Sequence, residues 1–193
     1  MNTSIPATVI GVICVVACFT EAVPGGSSTR RLVGDDLGWE FHYFGSPLRG
    51  NVLEVDEAVR LDAFSVDVST TAPCVVDLYV HRSTDRGERW SVVWAGEVST
   101  SRGAVDVASG RVGHAFEAGD WVALSAGLHT LECGDGARFR GGASKPGDRV
   151  GPGRWRAAVR LDDYSGFDAT GAGLPGPRGD AYGYVSTATF TPL

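Results

Sequence analysis

The stretch 154–161 reads RWRAAVRL, and its side chains alternate between charged and apolar with a period of two. Trp155, Ala157, Val159 and Leu161 share one parity, and arginines dominate the other. Successive side chains of a β-strand point to opposite faces of a sheet, so this pattern predicts a strand with one buried and one hydrated face. We therefore expect a fold built from half-buried strands.

Segments with the same period recur along the chain, at 39–43, 74–81, 90–94 and 121–125. Between 59 and 68 the apolar parity changes, which predicts a β-bulge or a bend near Ala63. No long segment has a helical apolar period, and 27 glycines disfavour long helices. The sequence thus predicts an all-β fold, a two-sheet antiparallel β-sandwich of about eight to ten strands. We expect jelly-roll-like connectivity, although the pattern alone does not separate it from a meander.

Composition limits the classes of function. The chain has 193 residues, with 17 Lys and Arg against 23 Asp and Glu, and a formal net charge of −6. A nucleic-acid-binding domain of this size carries a basic surface, so no nucleic-acid partner is expected. Hydrophobic residues make up 43% and charged residues 21%, which is typical of a packed globular domain.

The N-terminus has the layout of a secretory signal peptide. Residues 5–19 (IPATVIGVICVVACF) form an uncharged apolar run, and a polar, glycine-rich stretch follows. The run is shorter than the ~20 residues that a membrane-spanning helix needs. We predict a signal peptide over 1–22, a flexible leader over 23–34, and a single β-sandwich domain over 35–193.

Two cleavage sites compete within this signal. Val15-Val16-Ala17-Cys18 resembles the lipobox of bacterial lipoproteins, in which the cysteine receives lipid, whereas Thr20-Glu21-Ala22 fits the ordinary signal peptidase. Cleavage before Cys18 would tether the mature chain to a membrane surface through acyl chains. Membrane contact is expected only through such a lipid anchor.

Two cysteines, Cys74 and Cys133, remain in the predicted domain. In an oxidising compartment an even pair is most simply a disulfide, with two unpaired buried thiols as the alternative. Neither cysteine belongs to a CxxC pair, so the sequence does not predict a zinc site.

Five segments share a pattern of strand and turn residues: RGNVLEV at 49–55, VRLDAF at 59–64, VDLYV at 76–80, AGDWVAL at 118–124 and AYGY at 181–184. Together they resemble a poorly characterised class of exported bacterial β-sandwich domains, opened by an RGN strand and closed by a tyrosine-rich one. The resemblance spans about residues 49–190 and implies a fold and an envelope or extracellular setting, but no catalytic residue. Trp121-Val122 replaces the aromatic pair of that class, and His81-Arg82 replaces its acidic strand end.

The sequence contains no GxSxG nucleophile motif. Glu54, Asp56 and Glu57 form a carboxylate cluster of the kind that glycanases use as a pair on one strand. The cluster resembles the ExDxxE signature of one glucanase family only in its first half, because Val59 stands where the final acid is required. A solvated strand end explains the cluster without catalysis.

Two kinds of binding site remain as hypotheses. Asp162, Asp163 and Asp168 offer three carboxylates that could bind calcium, the only cofactor that the sequence suggests. Tyr164, Phe167, Tyr182 and Tyr184 lie in or near loops or off the apolar parity, and an exposed set of such rings could stack on sugars. Most other aromatic residues are expected in the core.

These observations predict an exported, non-enzymatic β-sandwich module with a binding or structural role at the cell envelope or outside the cell. Its expected partner is a polysaccharide or another envelope component. An extracellular glycan hydrolase and an assembly module that pairs through a sheet edge are the alternatives.

Overall fold

The structure, a computed structural model, describes residues 26–41, 47–162, 174 and 182–193. These residues form fourteen strands and one short helix. In chain order they are β1 (Ser28–Arg31), β2 (Asp36–Phe41), β3 (Leu48–Val55), β4 (Val59–Thr70), β5 (Cys74–Ser83), β6 (Ser91–Thr100), β7 (Gly103–Ala108), β8 (His114–Phe116), β9 (Trp121–Leu128), α1 (Thr130–Cys133), β10 (Arg138–Ala143), β11 (Arg149–Val150), β12 (Gly153–Leu161), β13 (Tyr182–Tyr184) and β14 (Ser186–Pro192). In these ranges no helix has the length and apolar character that crossing a lipid bilayer requires.

The strands form two antiparallel sheets packed as a sandwich. The six-stranded sheet has the order β11-β12-β3-β9-β5-β6. The eight-stranded sheet follows β1-β14-β4-β10-β13, with β2 beside β10 and with β7 and β8 beside β4. The predicted all-β, two-sheet sandwich is confirmed. Strands are more numerous than expected because four of them have four residues or fewer, too short to show an alternating pattern.

The chain crosses repeatedly between the sheets. Strand β3 lies in the six-stranded sheet, β4 in the eight-stranded sheet, and β5 again in the six-stranded sheet. Neighbouring strands such as β3 and β9, or β4 and β14, therefore come from distant parts of the sequence. This connectivity, like that of a jelly roll, is not a meander.

Strand β4 is the twelve-residue spine of the eight-stranded sheet. It pairs with β14 and β10 along one edge, and with β8 and β7 along the other. Its register against β14 shifts between Leu61 and Ala63, so that Asp62 is the extra residue. This β-bulge lies where the change of apolar parity predicts it, and it lets the long strand bend with its curled sheet.

The core lies between the two sheets. It is filled mainly by aliphatic side chains from β3, β4, β5 and β9, together with a few large aromatic rings. The fully buried rings among them are those of Phe116, Phe139, Trp155, Tyr184 and Phe190. A second, smaller cluster covers the outer face of the six-stranded sheet and includes Leu48, Val52, Ala123, Ala157 and Val159, with Leu174 packed against them.

In strand β12 the side chains of RWRAAVRL do not follow the strict alternation between two faces that the sequence predicts. Its register against β3 shifts between Trp155 and Ala157, so the two side chains point to opposite faces of the sheet. Trp155 enters the core between the sheets, whereas Ala157 and Val159 join the outer cluster. The strand is therefore apolar on both faces, which a strict period of two cannot reveal.

Most of the predicted flexible leader is part of the fold. Strand β1 pairs with β14 over Ser28–Arg31, and Leu32 donates its backbone N–H to Ser186 at 2.9 Å. Leu32 and Val33 are 0% and 3% exposed. The prediction of a leader over 23–34 is thus wrong for 28–34, because two apolar side chains in a polar stretch suffice to dock it.

Asn51 on β3 joins the two sheets through its buried side-chain amide. Its Nδ2 donates to the Tyr184 carbonyl and to Ser186 Oγ, each at 2.7 Å. Its Oδ1 accepts hydrogen bonds from Trp155 Nε1 at 3.0 Å and from the Tyr184 backbone N–H at 3.2 Å. The amide thus uses its full bonding capacity, with partners on both sheets.

The two residues before Asn51 on β3, Arg49 and Gly50, also have structural roles. Arg49, which is 1% exposed, donates to the carbonyl of Leu161 and to Asp162 Oδ1, both at 2.6 Å, and so holds the end of β12. Gly50 is required because a Cβ there would lie 2.0 Å from the Leu124 carbonyl oxygen of β9. The RGN segment therefore has a structural role in this fold.

A disulfide joins Cys74 at the start of β5 to Cys133 at the end of α1, across 59 residues of sequence. The two Cα atoms lie 4.9 Å apart. The backbone N–H groups of Thr71 and Ala72 donate to the Cys133 carbonyl, so hydrogen bonds support the same junction. The predicted pairing is confirmed.

We predict that Asn51→Leu destabilises the protein strongly. Leucine has a similar volume but leaves the buried groups of Trp155 and Tyr184 without their amide partner, which costs about 3 kcal/mol or more. Ser186→Ala, which removes one of the four bonds, should cost about 1 kcal/mol. Urea unfolding followed by circular dichroism measures both, and equal stability of Asn51→Leu and the unsubstituted protein would contradict the assigned role.

We also predict that reduction of the disulfide lowers the free energy of unfolding by about 4 kcal/mol, because it releases a long loop in the unfolded chain. Guanidinium unfolding with and without reductant measures this loss. The double variant Cys74→Ser/Cys133→Ser should match the reduced protein and should not respond to reductant. A reductant effect in that variant would mean that another group is responsible.

Candidate functional site

An open cleft of about 540 Å³ lies at the end of the six-stranded sheet where β5 turns into β6. Its walls come from the end of β5, from the loop of residues 84–90 and from the first residues of β6, and His114 of β8 completes it. Volumes of 300–1,000 Å³ are typical of small-molecule sites. We call this site the β5–β6 cleft.

The loop that forms one wall is held by Asp85. Ser83 Oγ donates to Asp85 Oδ1 at 2.7 Å, and the Arg89 backbone N–H donates to the same oxygen at 3.0 Å. Arg89 Nε reaches Asp85 Oδ2 at 2.7 Å. The hydrogen bonds from Ser83 and then from Arg89 hold the pKa of the Asp85 carboxyl well below its ordinary value, because they stabilise the charged carboxylate.

The tip of the loop rests on two indole rings. Arg86 and Gly87 both have positive φ, 60° and 88°, and so make the tight turn. A Cβ on Gly87 would lie 3.2 Å from the Trp121 ring and 3.3 Å from the Trp90 ring. Glycine allows the backbone to approach both rings, and the half-buried indoles in turn support the loop.

Arg82, which lines the cleft, forms a second ion pair with the buried Asp120. Arg82 Nη2 lies 2.8 Å from Asp120 Oδ2, and Asp120 is 4% exposed. The Glu117 backbone N–H donates to the same carboxylate oxygen at 2.8 Å. Nearby, burial lowers the pKa of His114, and the positive charge of Arg82 lowers it further, so this imidazole is neutral at neutral pH.

The cleft therefore combines an aromatic ring with polar groups whose charges balance. Arg82 pairs with Asp120, and Arg89 pairs with Asp85. The exposed guanidinium of Arg89 and the loop hydroxyls supply further donors and acceptors. Such a site suits a neutral, hydroxyl-rich ligand better than an ion.

The predicted carboxylate cluster is not part of the cleft, and two of its members form ion pairs with β12. Glu54 is hydrogen bonded to Arg156, and Asp56 Oδ1 lies 3.4 Å from Arg154 Nε. The arginines of RWRAAVRL thus neutralise the acidic end of β3. These pairs give Glu54 and Asp56 a structural role.

The aromatic candidates have different outcomes. Tyr184 is fully buried, with its ring centroid 5.9 Å from that of Phe139 and 5.6 Å from that of Tyr182, so its prediction as a ligand-stacking residue is wrong. The reason is that β13 turns this side chain into the core. Tyr182 is half-buried, with the Arg160 guanidinium 5.4 Å above its ring. Tyr164 and Phe167 lie outside the described residues.

The calcium and lipidation hypotheses concern mostly residues outside the described ranges. Of the three aspartates only Asp162 is described; its side chain is 92% exposed and accepts a hydrogen bond from Arg49. Asp163, Asp168 and Cys18 lie outside. Among the described residues no group of three or more His, Cys, Asp or Glu side chains is arranged to hold a metal ion.

The β5–β6 cleft was missed by the sequence analysis, which assigned residues 90–94 to one alternating strand. Trp90 instead precedes β6, and the β5–β6 register shifts between Val80 and His81. The available signal was a tryptophan directly after the charged turn TDRGER at 84–89. Binding residues are found disproportionately on loops that a rigid scaffold positions.

The fold defines this chain as a two-sheet β-sandwich. No family model and no curated protein matches the chain. Among solved structures it is similar to the clostridial cysteine protease Cwp84 after propeptide cleavage, with a TM-score of 0.52 and 10% sequence identity. The match covers 86% of this chain but 40% of that chain, so this chain spans less than half of the protein it resembles. At this identity the likeness extends to the fold alone.

One buried histidine lies close to the cleft along β5. His81 is 0% exposed, and its ring centroid lies 5.8 Å from that of Tyr79. It faces outward from the six-stranded sheet, opposite Ala123 of β9, rather than into the core between the sheets. Burial lowers its pKa to about 4, because the charged imidazolium would lose its hydration there.

We predict that His81 makes the protein less stable in mild acid. The folded pKa of about 4 lies below the ordinary 6.5, so the unfolded chain binds the extra proton between these pH values. Stability from this group is complete above about pH 6.5 and falls by about 3 kcal/mol as the pH decreases to about 4. Thermal unfolding of the unsubstituted protein and of His81→Gln across this range measures the effect. A stability difference between the two that stays constant with pH would contradict it.

Proposed function

We propose that this protein is an exported glycan-binding module whose ligand occupies the β5–β6 cleft. The observation that carries the proposal is the combination of Trp90, two charge-balanced arginines and loop hydroxyls around a cleft of about 540 Å³. Sugars present hydroxyl groups in their ring plane and C–H groups on their faces. Guanidinium, carboxylate and hydroxyl groups bind the former, and an indole packs against the latter.

The cleft walls are rigid in a way that favours binding. Asp85 accepts bonds from both ends of its loop, and the loop tip rests on Trp90 and Trp121. The ion pair with Asp120 holds Arg82 in place along the cleft. A ligand that enters a preformed cleft loses less binding free energy to ordering the protein, which supports recognition by an otherwise shallow site.

Export is supported by the disulfide. The bond between Cys74 and Cys133 requires an oxidising compartment to persist, and the cytosol keeps such thiols reduced. It agrees with the apolar N-terminal segment, for which cleavage before Cys18 and attachment to a membrane surface by lipid are part of this proposal.

Binding is favoured over catalysis. The structural relative is named as a cysteine protease, but both described cysteines of this chain are joined in the disulfide and have no thiol to act as a nucleophile. The ion pairs of Glu54 and Asp56 with β12 likewise argue against the glycan hydrolase considered above.

We predict that Trp90→Ala lowers glycan affinity at least fivefold, if a sugar ring gains from one aromatic ring as much as a stacked nucleobase does, about 1–3 kcal/mol. The test measures binding of the purified protein to insoluble cellulose, chitin, peptidoglycan and cell-wall fractions, with released sugars assayed in the same wells. Trp39→Ala is the matched control, since Trp39 is also half-buried but lies on β2 of the other sheet.

The comparison holds when both variants melt within a few degrees of the unsubstituted protein. Arg89→Ala, which changes an exposed side chain of the loop, is a second variant of the cleft. If Trp39→Ala abolishes binding and Trp90→Ala does not affect it, the glycan site lies on the eight-stranded sheet instead of in the β5–β6 cleft. No binding to any fraction, or release of sugars, would overturn the proposal of a non-enzymatic glycan-binding module.

A further inference from the structure

The six-stranded sheet ends in a long strand whose outer edge is open. Strand β6 has ten residues, Ser91–Thr100, and pairs with β5 on one side. It is the last strand of its sheet, and among the described residues no strand or loop forms backbone hydrogen bonds with its other side. The strand at the opposite end of this sheet, β11, has two residues. Of the two end strands of the sheet, β6 is therefore the one with a long edge.

Beyond the β-bulge at Val93, where its register against β5 shifts, β6 lacks the usual protection of an edge strand. Native edges are blunted by lysine, by proline or by inward-pointing charges. Strand β6 reads SVVWAGEVST, with no proline and no lysine, and Glu97 is its one charged residue. An edge of this length without such residues can accept an additional strand.

The inner face of β6 leaves part of the core uncovered. Trp94 and Val98 pack against the core but remain half-buried, in contrast to the fully buried residues of β5 beside them. The Trp94 ring meets that of Phe64 edge-on, with centroids 6.0 Å apart. A further strand beside β6 would cover these two side chains with its own apolar residues.

The outer face of β6 carries a charge that selects the occupant. Glu97 is exposed and lies directly opposite Asp77 of β5, so two carboxylates face each other across the strands. Asp77 has His129 Nε2 at 3.1 Å, whereas no described side chain forms an ion pair or hydrogen bond with Glu97. A like-charge pair of this kind is destabilising, and a cation opposite Glu97 on an added strand would offset it.

This charge argues against a second copy of the chain as the occupant. Strand β6 contains no Lys, Arg or His to place opposite Glu97, and the whole chain has a net charge of −6. Two copies would repel each other on approach. A partner with basic residues in an extended segment has neither disadvantage.

We propose that the open edge of β6 binds an extended, cationic segment of another protein by strand addition. A Lys or Arg of the segment lies opposite Glu97. The residues on either side of it lie opposite Gly96 and Val98 and face inward, where they cover Val98 and the Trp94 ring, which lies over Gly96. Main-chain hydrogen bonds supply the affinity, and the cation supplies the preference. The part of the edge around Glu97 lies beyond Ser91 and Val93, the residues of β6 that line the β5–β6 cleft.

The test uses the purified protein and the fluorescein-labelled peptide TVTVKVTVT, with binding followed by fluorescence anisotropy. Three altered peptides accompany it: one with Glu in place of the central Lys, and two that are N-methylated at alternate residues, one in each parity. The protein variants are Glu97→Lys and, as a control with the same change of charge, Glu57→Lys in the turn after β3.

We expect the Lys peptide to bind at least threefold more tightly than the Glu peptide, and Glu97→Lys to reverse this preference while Glu57→Lys preserves it. One of the two N-methylated peptides should lose at least tenfold in affinity, because one parity faces β6. Equal binding by both N-methylated peptides, an unchanged preference in Glu97→Lys, or no binding at millimolar peptide would overturn the proposal. A concentration-dependent dimer that Glu97→Lys dissociates would also overturn it, in favour of a second copy.

Discussion

The side-chain amide of Asn51 is the constraint on which the two-sheet arrangement depends. It lies between the sheets, where an amide that lacked even one partner would be costly, and it finds four partners on β12, β13 and β14. Hydrogen bonds are directional, whereas apolar packing tolerates sliding. Asn51 therefore fixes Tyr184 of β13 and Ser186 of β14 against β3, and β14 then pairs with β4 along seven residues.

Strand β5 transmits this rigidity to the candidate functional surfaces. Its first residue is held by the disulfide and its last by the Asp85 loop, with the Arg82–Asp120 pair beside that loop. Strand β6 is aligned along β5 over nearly its whole length. The cleft and the open edge therefore lie on one well-supported hairpin, which is where a rigid scaffold positions binding groups best.

The features that sequence could predict are those that depend on local periodicity. The period of two indicates the strands, the change of parity near Ala63 indicates the bulge at Asp62, and the pair of cysteines indicates the disulfide. Predictions failed where a side chain's face depends on a distant partner. The bulge beside Trp155 arises from pairing with β3, and the burial of Tyr184 and of Leu32 follows from strands far away in sequence. The cleft, too, requires the β5–β6 register, which composition does not encode.

Electrostatics distinguishes the two surfaces more clearly than shape does. In the cleft each arginine has a carboxylate partner, so the local charge is near zero and an ion of either sign would have to displace a neighbour. At the edge Glu97 faces another carboxylate, so a cation gains there without displacing an existing partner. A chain with an acidic net charge strengthens this difference, because its long-range field attracts basic segments and is indifferent to neutral sugars. The two proposed ligands, a neutral glycan at the turn of the hairpin and a basic segment opposite Glu97, would therefore depend on different charged groups.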